Sequence, residues 1–132
     1  MHSLLLVDDE APLLHAMREY FVHRGFTVDC ATEMEEAQAL LDCREYAVLI
    51  CDVALRSFVD AAGLEVVSHL RSCSRQTRII LLTGAWHEGL AEDTRALNVD
   101  LVMIKPQPLS RIAEAIDSLL NVTGRVRYAN AP

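Results

Sequence analysis

Five polar side chains in this sequence each stand at the end of a short apolar run. Asp8 and Asp9 follow Leu4-Leu5-Leu6-Val7, Asp52 follows Ala47-Val48-Leu49-Ile50-Cys51, Thr83 follows Ile79-Ile80-Leu81-Leu82, and Lys105 follows Leu101-Val102-Met103-Ile104. Three carboxylates, a hydroxyl and an ammonium can together hold a hard divalent cation and neutralise a phosphoryl group, provided the fold gathers them. Singly, each has a plainer reading: a carboxylate starts a turn or caps a helix, a threonine closes a strand, a lysine is a solvated charge. Their shared placement favours the chemistry.

The elements that must position these groups are legible from the apolar spacing. Runs at 2–7, 26–30, 46–51, 78–82 and 101–104 read as strands, the second the least continuously apolar and so suited to a sheet edge. Between and after them, apolar residues recur at helical spacing. Pro12 opens the first helix and Gly25 stops it; Thr32-Glu33-Met34-Glu35 has the spacing of a capping box for the second, which runs to Cys43. A third helix is expected over Gly63–Leu70, a more polar fourth over Glu88–Leu97, and a last one over Leu109–Leu120. Strands alternating with helices imply right-handed βαβ units: an α/β fold with a five-stranded parallel sheet, doubly wound, helices on both faces.

In such a sheet all strands point one way, so groups that follow successive strands meet at one rim. Carboxylates crowded there repel by about 4 kcal/mol per pair at 4 Å and an effective dielectric near 20. A cation is therefore required among them. Lys105 supplies one fixed positive charge, and the remaining negative charge on all-oxygen donors suits Mg²⁺.

With these residues in place, the chain resembles a response-regulator receiver domain, the phosphoacceptor module of two-component signalling, of the chemotaxis-regulator type with a flavodoxin-like fold. The resemblance spans residues 3 to 121 and rests on Val7-Asp8-Asp9-Glu10, Leu49-Ile50-Cys51-Asp52, Leu81-Leu82-Thr83-Gly84 and Ile104-Lys105-Pro106. It implies that Asp52 accepts a phosphoryl group from a sensor histidine kinase or a histidine phosphotransfer protein. It implies Mg²⁺ bound by Asp9, Asp52 and the Ala54 backbone carbonyl, with Asp8 nearby through water. Thr83 and Lys105 would each engage a phosphoryl oxygen, and the Lys105-Pro106 bond would be cis. Such a domain catalyses only its own phosphorylation and dephosphorylation, and relays its state to an output domain or downstream protein; a second copy of the chain is a further candidate partner.

Three departures from the family pattern stand out. The loop from Asp52 to Gly63 is long, with Arg56 where proline is common; Val102 stands where an aromatic residue usually rotates; and Ala54 and Ala85 offer no polar group at positions that tune dephosphorylation. With Val102 too short to sweep, Trp86, the only tryptophan, is the nearest large group to register a movement of Thr83.

Bulk properties agree with a signalling module. The 132 residues suit one domain, expected as 1–121 with 122–132 a tail or the start of a linker, and 52% hydrophobic with 23% charged residues is an ordinary globular balance. A net charge of −7 disfavours direct nucleic-acid binding. No run is long enough to span a membrane, so a cytoplasmic location is expected. Cys30, Cys43, Cys51 and Cys73 lack Cys-x-x-Cys spacing and read as small core residues, and His2, His15, His23, His69 and His87 show no paired metal spacing. Two other aspartyl-phosphate or phosphate-binding classes remain as alternatives. A haloacid-dehalogenase phosphatase would need its nucleophile after the first strand as Asp-x-Asp, and a flavin-binding flavodoxin would need a Ser/Thr/Gly loop where this chain has acids.

Overall fold

The computed structural model describes residues 2–55, 61–86 and 88–121. Ten elements alternate along the chain: β1 (Ser3–Val7), α1 (Ala11–His23), β2 (Thr27–Ala31), α2 (Met34–Cys43), β3 (Val48–Asp52), α3 (Ala62–Cys73), β4 (Arg78–Thr83), α4 (Glu88–Ala96), β5 (Leu101–Ile104) and α5 (Leu109–Leu120). The strands form one parallel sheet in the order β2-β1-β3-β4-β5. β2 is at the edge, as its mixed composition predicts. The strand order reverses between β1 and β3, and the crevice outside the carboxyl ends at such a switch point is where open α/β sheets bind ligands.

Alternation along the strands divides the core. Leu5, Val7, Leu49, Cys51, Ile79 and Leu81 face α2 and α3, where Ala37, Leu41, Val66, Val67 and Leu70 complete one layer. Leu4, Leu6, Val48, Ile50, Ile80 and Leu82 point the other way onto Met17 and Phe21 of α1 and Ile112 and Ile116 of α5. Central strands buried on both faces therefore read as continuous apolar runs. α4 buries only Leu90 and Thr94, in keeping with its polar sequence.

Several boundaries differ from the sequence expectation. β3 starts two residues late: the Tyr46 backbone carbonyl accepts the Thr77 hydroxyl at 2.8 Å, and its side-chain hydroxyl donates to Asp29 Oδ2 at 2.7 Å. It runs on to include Asp52, while α3 begins at Ala62 and continues to Cys73. α4 ends at Ala96, and β2 lies one residue later than expected. The start of α2 corrects the capping-box reading. The residue before the first turn is Glu33, and the Thr32 N–H donates to Glu36 Oε1 at 3.0 Å rather than to Glu35, since helical spacing counted from Glu33 makes Glu36 the third residue. Gly25 ends α1 as expected, with φ +97°. The cysteines need a larger correction: Cys51 alone is a core residue, while Cys43 and Cys73 are exposed and Cys30 is half-buried, because both exposed ones fall at the solvated ends of helices. Arg56 and residues 122–132 lie outside the described residues, as does His87.

At the rim opposite the strand carboxyl ends, Arg71 ties α3 to two neighbouring loops. Its guanidinium donates to the carbonyls of Leu97 (3.0 Å), Thr77 (2.8 Å) and Asn98 (2.9 Å), and lies 3.8 Å from Asp100. Burial lowers its pKa, partly offset by the Asp100 carboxylate. No helix among the described residues is long and apolar enough to cross a membrane.

Candidate functional site

Parallel pairing gathers the groups picked out by the sequence. Asp8 leaves β1, Asp52 ends β3, Thr83 ends β4 and Lys105 follows β5, all at the carboxyl rim. Carboxylate oxygens of Asp8, Asp9 and Asp52 lie within 4.8 Å of one another. The Lys105 ammonium bridges two of them, donating to Asp8 Oδ2 at 3.0 Å and Asp52 Oδ2 at 3.1 Å, with Glu10 Oε1 at 3.7 Å. The Lys105-Pro106 peptide is cis, as expected from the resemblance.

Local backbone geometry orients the Asp8 and Asp52 carboxylates. Asp8 Oδ1 accepts the Glu10 N–H at 2.9 Å, and Asp52 Oδ1 accepts the Ala54 N–H at 3.1 Å, so each acid closes its own turn with one oxygen and offers the other to Lys105. Closing a turn therefore does not keep either aspartate from the shared cluster at the rim. Asp8 is 1% and Asp52 6% exposed, a degree of burial that carboxylates tolerate only when paired.

That environment sets the protonation equilibria. Burial pushes the Asp52 carboxyl above its ordinary value, against the opposing pull of the Ala54 N–H and Lys105. For Lys105 burial would lower the pKa, but hydrogen bonds to Asp8 and Asp52 outweigh it and hold the ammonium charged above the ordinary lysine value. One ammonium among three carboxylates still leaves excess negative charge on oxygen donors. That donor set fits a hard cation such as Mg²⁺, which favours a few carboxylates over nitrogen or sulfur.

Thr83 reaches the same rim, buried, with its hydroxyl donating to the Ala85 carbonyl at 2.8 Å and accepting the Ala85 N–H at 3.2 Å. Trp86 follows directly and is 48% exposed. Val102 is half-buried and packs against the α2–α3 layer. Gly63 is the site residue that sequence reasoning missed. A β-carbon there would collide with the Asp52 carbonyl oxygen and lie 2.7 Å from Val53 Cα, while the Gly63 N–H donates to the Val53 carbonyl at 2.9 Å. The first turn of α3 thus rests directly on the peptide that carries Asp52. The available signal was a glycine inside a helix start, where it weakens the helix and so needs a packing reason.

Residues 4–117 match the response regulator receiver domain family. The chain belongs to that family. Among curated relatives, it is 31% identical over 116 residues to the photosynthetic apparatus regulatory protein RegA of Cereibacter sphaeroides, covering 86% of this chain and 60% of that protein. It is 32% identical over 119 residues to the transcriptional regulatory protein TctD of Salmonella typhimurium, covering 89% and 51%. The chain thus spans about half to three-fifths of the length of these relatives. Among solved structures, the response regulator TrrA of Thermotoga maritima in complex with Mg²⁺ and BeF superposes with a TM-score of 0.77 at 27% identity, covering 90% of this chain and 99% of that one. Receiver domains are the phosphorylation-dependent regulatory modules of two-component systems, and this chain is one of them.

Proposed function

We propose that Asp52 takes a phosphoryl group from the phosphohistidine of a sensor kinase or a histidine phosphotransfer protein. The observation that carries this reading is the Asp52 carboxylate itself: buried at the switch-point end of β3, 3.1 Å from the Lys105 ammonium and clustered with Asp8 and Asp9. One Asp52 oxygen bonds to phosphorus as the phosphorus–nitrogen bond breaks, its electron pair departing on the donor imidazole. Lys105 neutralises charge on a phosphoryl oxygen, and the Thr83 hydroxyl turns from the Ala85 carbonyl to another. Asp9, Asp52 and the Ala54 carbonyl, with Asp8 through water, would hold Mg²⁺, which supplies charge neutralisation at the phosphoryl oxygens.

The donor brings the activated phosphorus, so this domain's catalysis is confined to its own phosphorylation and dephosphorylation. The receiver unit occupies 1–121, and 122–132 is a tail or the start of a linker to an output domain; a downstream protein or a second copy of the chain are the other partners. The net charge of −7 disfavours direct contact with DNA by this domain. The cytoplasm is the compartment that fits.

Labelling with acetyl phosphate tests the metal and acid roles together. Phosphoryl incorporation requires Mg²⁺ and disappears in Asp9→Ala. Full labelling in strong chelator contradicts the proposal.

A further inference from the structure

At the opposite end of the sheet a second group of donors converges. Asp42 in the last turn of α2, and His69 and Cys73 on α3, bring a carboxylate oxygen, an imidazole nitrogen and a thiol sulfur within 4.8 Å of one another. His69 and Cys73 are four residues apart, which places both on one helix face. His69 Nε2 lies 2.7 Å from Asp42 Oδ1. The group is partly open to solvent, with 29% of the His69 and 58% of the Asp42 side chain exposed, so an ion can enter. The Ser72 hydroxyl donates to the His69 carbonyl at 2.6 Å and steadies the turn between the two α3 donors.

We propose that Asp42, His69 and Cys73 form a site for a borderline-soft divalent ion of the Zn²⁺ class, with water as the fourth ligand. Tetrahedral ligands at about 2.0–2.3 Å from zinc lie roughly 3.3–3.6 Å apart. The Asp42–His69 pair, at 2.7 Å, must therefore open by roughly 0.6 Å, and the thiol, within 4.8 Å of both, close by at most about 1.5 Å, which side-chain rotation supplies. Thiolate and imidazole select zinc over magnesium, so this site is chemically distinct from the all-oxygen group at Asp52. Both helices end beside it; α3 carries Arg71 in its last turn, but α2 has no basic residue in its own, so the α2 carbonyl end adds negative potential that a cation complements. The ion would pin the end of α2 to the end of α3, far along the sheet from the phosphoacceptor rim.

The test is Co²⁺ titration of the reduced 132-residue protein in excess Mg²⁺, followed by Zn²⁺ competition. The proposal expects one equivalent, a thiolate-to-cobalt charge-transfer band, its displacement by Zn²⁺, and a rise in Tm with Zn²⁺. The band is lost in Cys73→Ser and kept in Cys43→Ser and Asp52→Asn. Because losing even an outer-shell partner weakens metal binding by about 10–100-fold, His69→Ala weakens it at least that much. No thiolate band, a band that survives Cys73→Ser or vanishes in Cys43→Ser, or unchanged affinity in His69→Ala overturns the proposal and leaves Asp42–His69 as an interhelical hydrogen bond only.

Discussion

Gly63→Ala adds one methyl group, and the structure dictates where the strain goes. The new carbon would lie 2.7 Å from Val53 Cα and nearer still to the Asp52 carbonyl oxygen. Carbon atoms in good contact sit about 3.5–4.0 Å apart, so α3 and the end of β3 must separate by roughly 1 Å. Both obstructing atoms are backbone, and no side chain can swing aside. Overpacking of this kind costs about 1–3 kcal/mol, and a domain of this size loses about 4 °C of Tm per kcal/mol, giving a fall of roughly 4–12 °C. The displacement also moves the Asp52 carboxylate from its 3.1 Å contact with Lys105. A misplacement of about 1 Å at a reacting group costs about 100-fold in rate. The assay pairs thermal unfolding by circular dichroism with the initial rate of labelling by acetyl phosphate in Mg²⁺. Gly84→Ala is the control, since a β-carbon there meets nothing within 4 Å. Wild-type Tm and labelling rate in Gly63→Ala would refute the claim that the α3 turn fixes the position of Asp52.

Asp52→Asn raises Tm at neutral pH without Mg²⁺, because the fold lifts the Asp52 pKa and so disfavours the carboxylate. The penalty is fully present above the folded pKa and absent below the unfolded one, so the gap between the two proteins closes as pH falls through the ordinary carboxylate range; a gap that widens in acid contradicts the sign. Beryllofluoride with Mg²⁺ changes Trp86 fluorescence in the wild type and much less in Thr83→Ala, since the Thr83 hydroxyl must release Ala85, the residue next to Trp86. An equal change in both proteins removes threonine from the relay. Arg71→Ala lowers stability by about 3 kcal/mol through loss of its charged hydrogen bonds, read by urea unfolding, and Arg71→Lys does not restore it because an ammonium lacks the planar fork. Full rescue by lysine would reduce Arg71 to a point charge.

The candidate site was legible in the sequence because parallel topology converts sequence order into spatial adjacency: an acid after β1 and a lysine after β5 meet without any local signal linking them. Burial on both faces made β1, β3 and β4 continuous apolar runs, and their ends marked the rim. The close approach of Gly63 was not legible, since it depends on where α3 lands after a loop whose path the sequence does not dictate. Residue-type spacing also hid the Asp42, His69 and Cys73 group. A search for like pairs passes over a histidine and a cysteine one helical turn apart whose third partner lies 27 residues earlier than His69. At α2 the capping pattern was one residue out of phase, because two glutamates in succession offer the same signal and only the helix start distinguishes them.

The central claim is that Asp52 is the phosphoacceptor, and intact-mass measurement after incubation with Mg²⁺ and acetyl phosphate tests it most directly. The wild type gains the mass of one phosphoryl group, and Asp52→Asn, shown to be folded by circular dichroism, gains none. A single phosphoryl adduct that persists in Asp52→Asn would contradict the account.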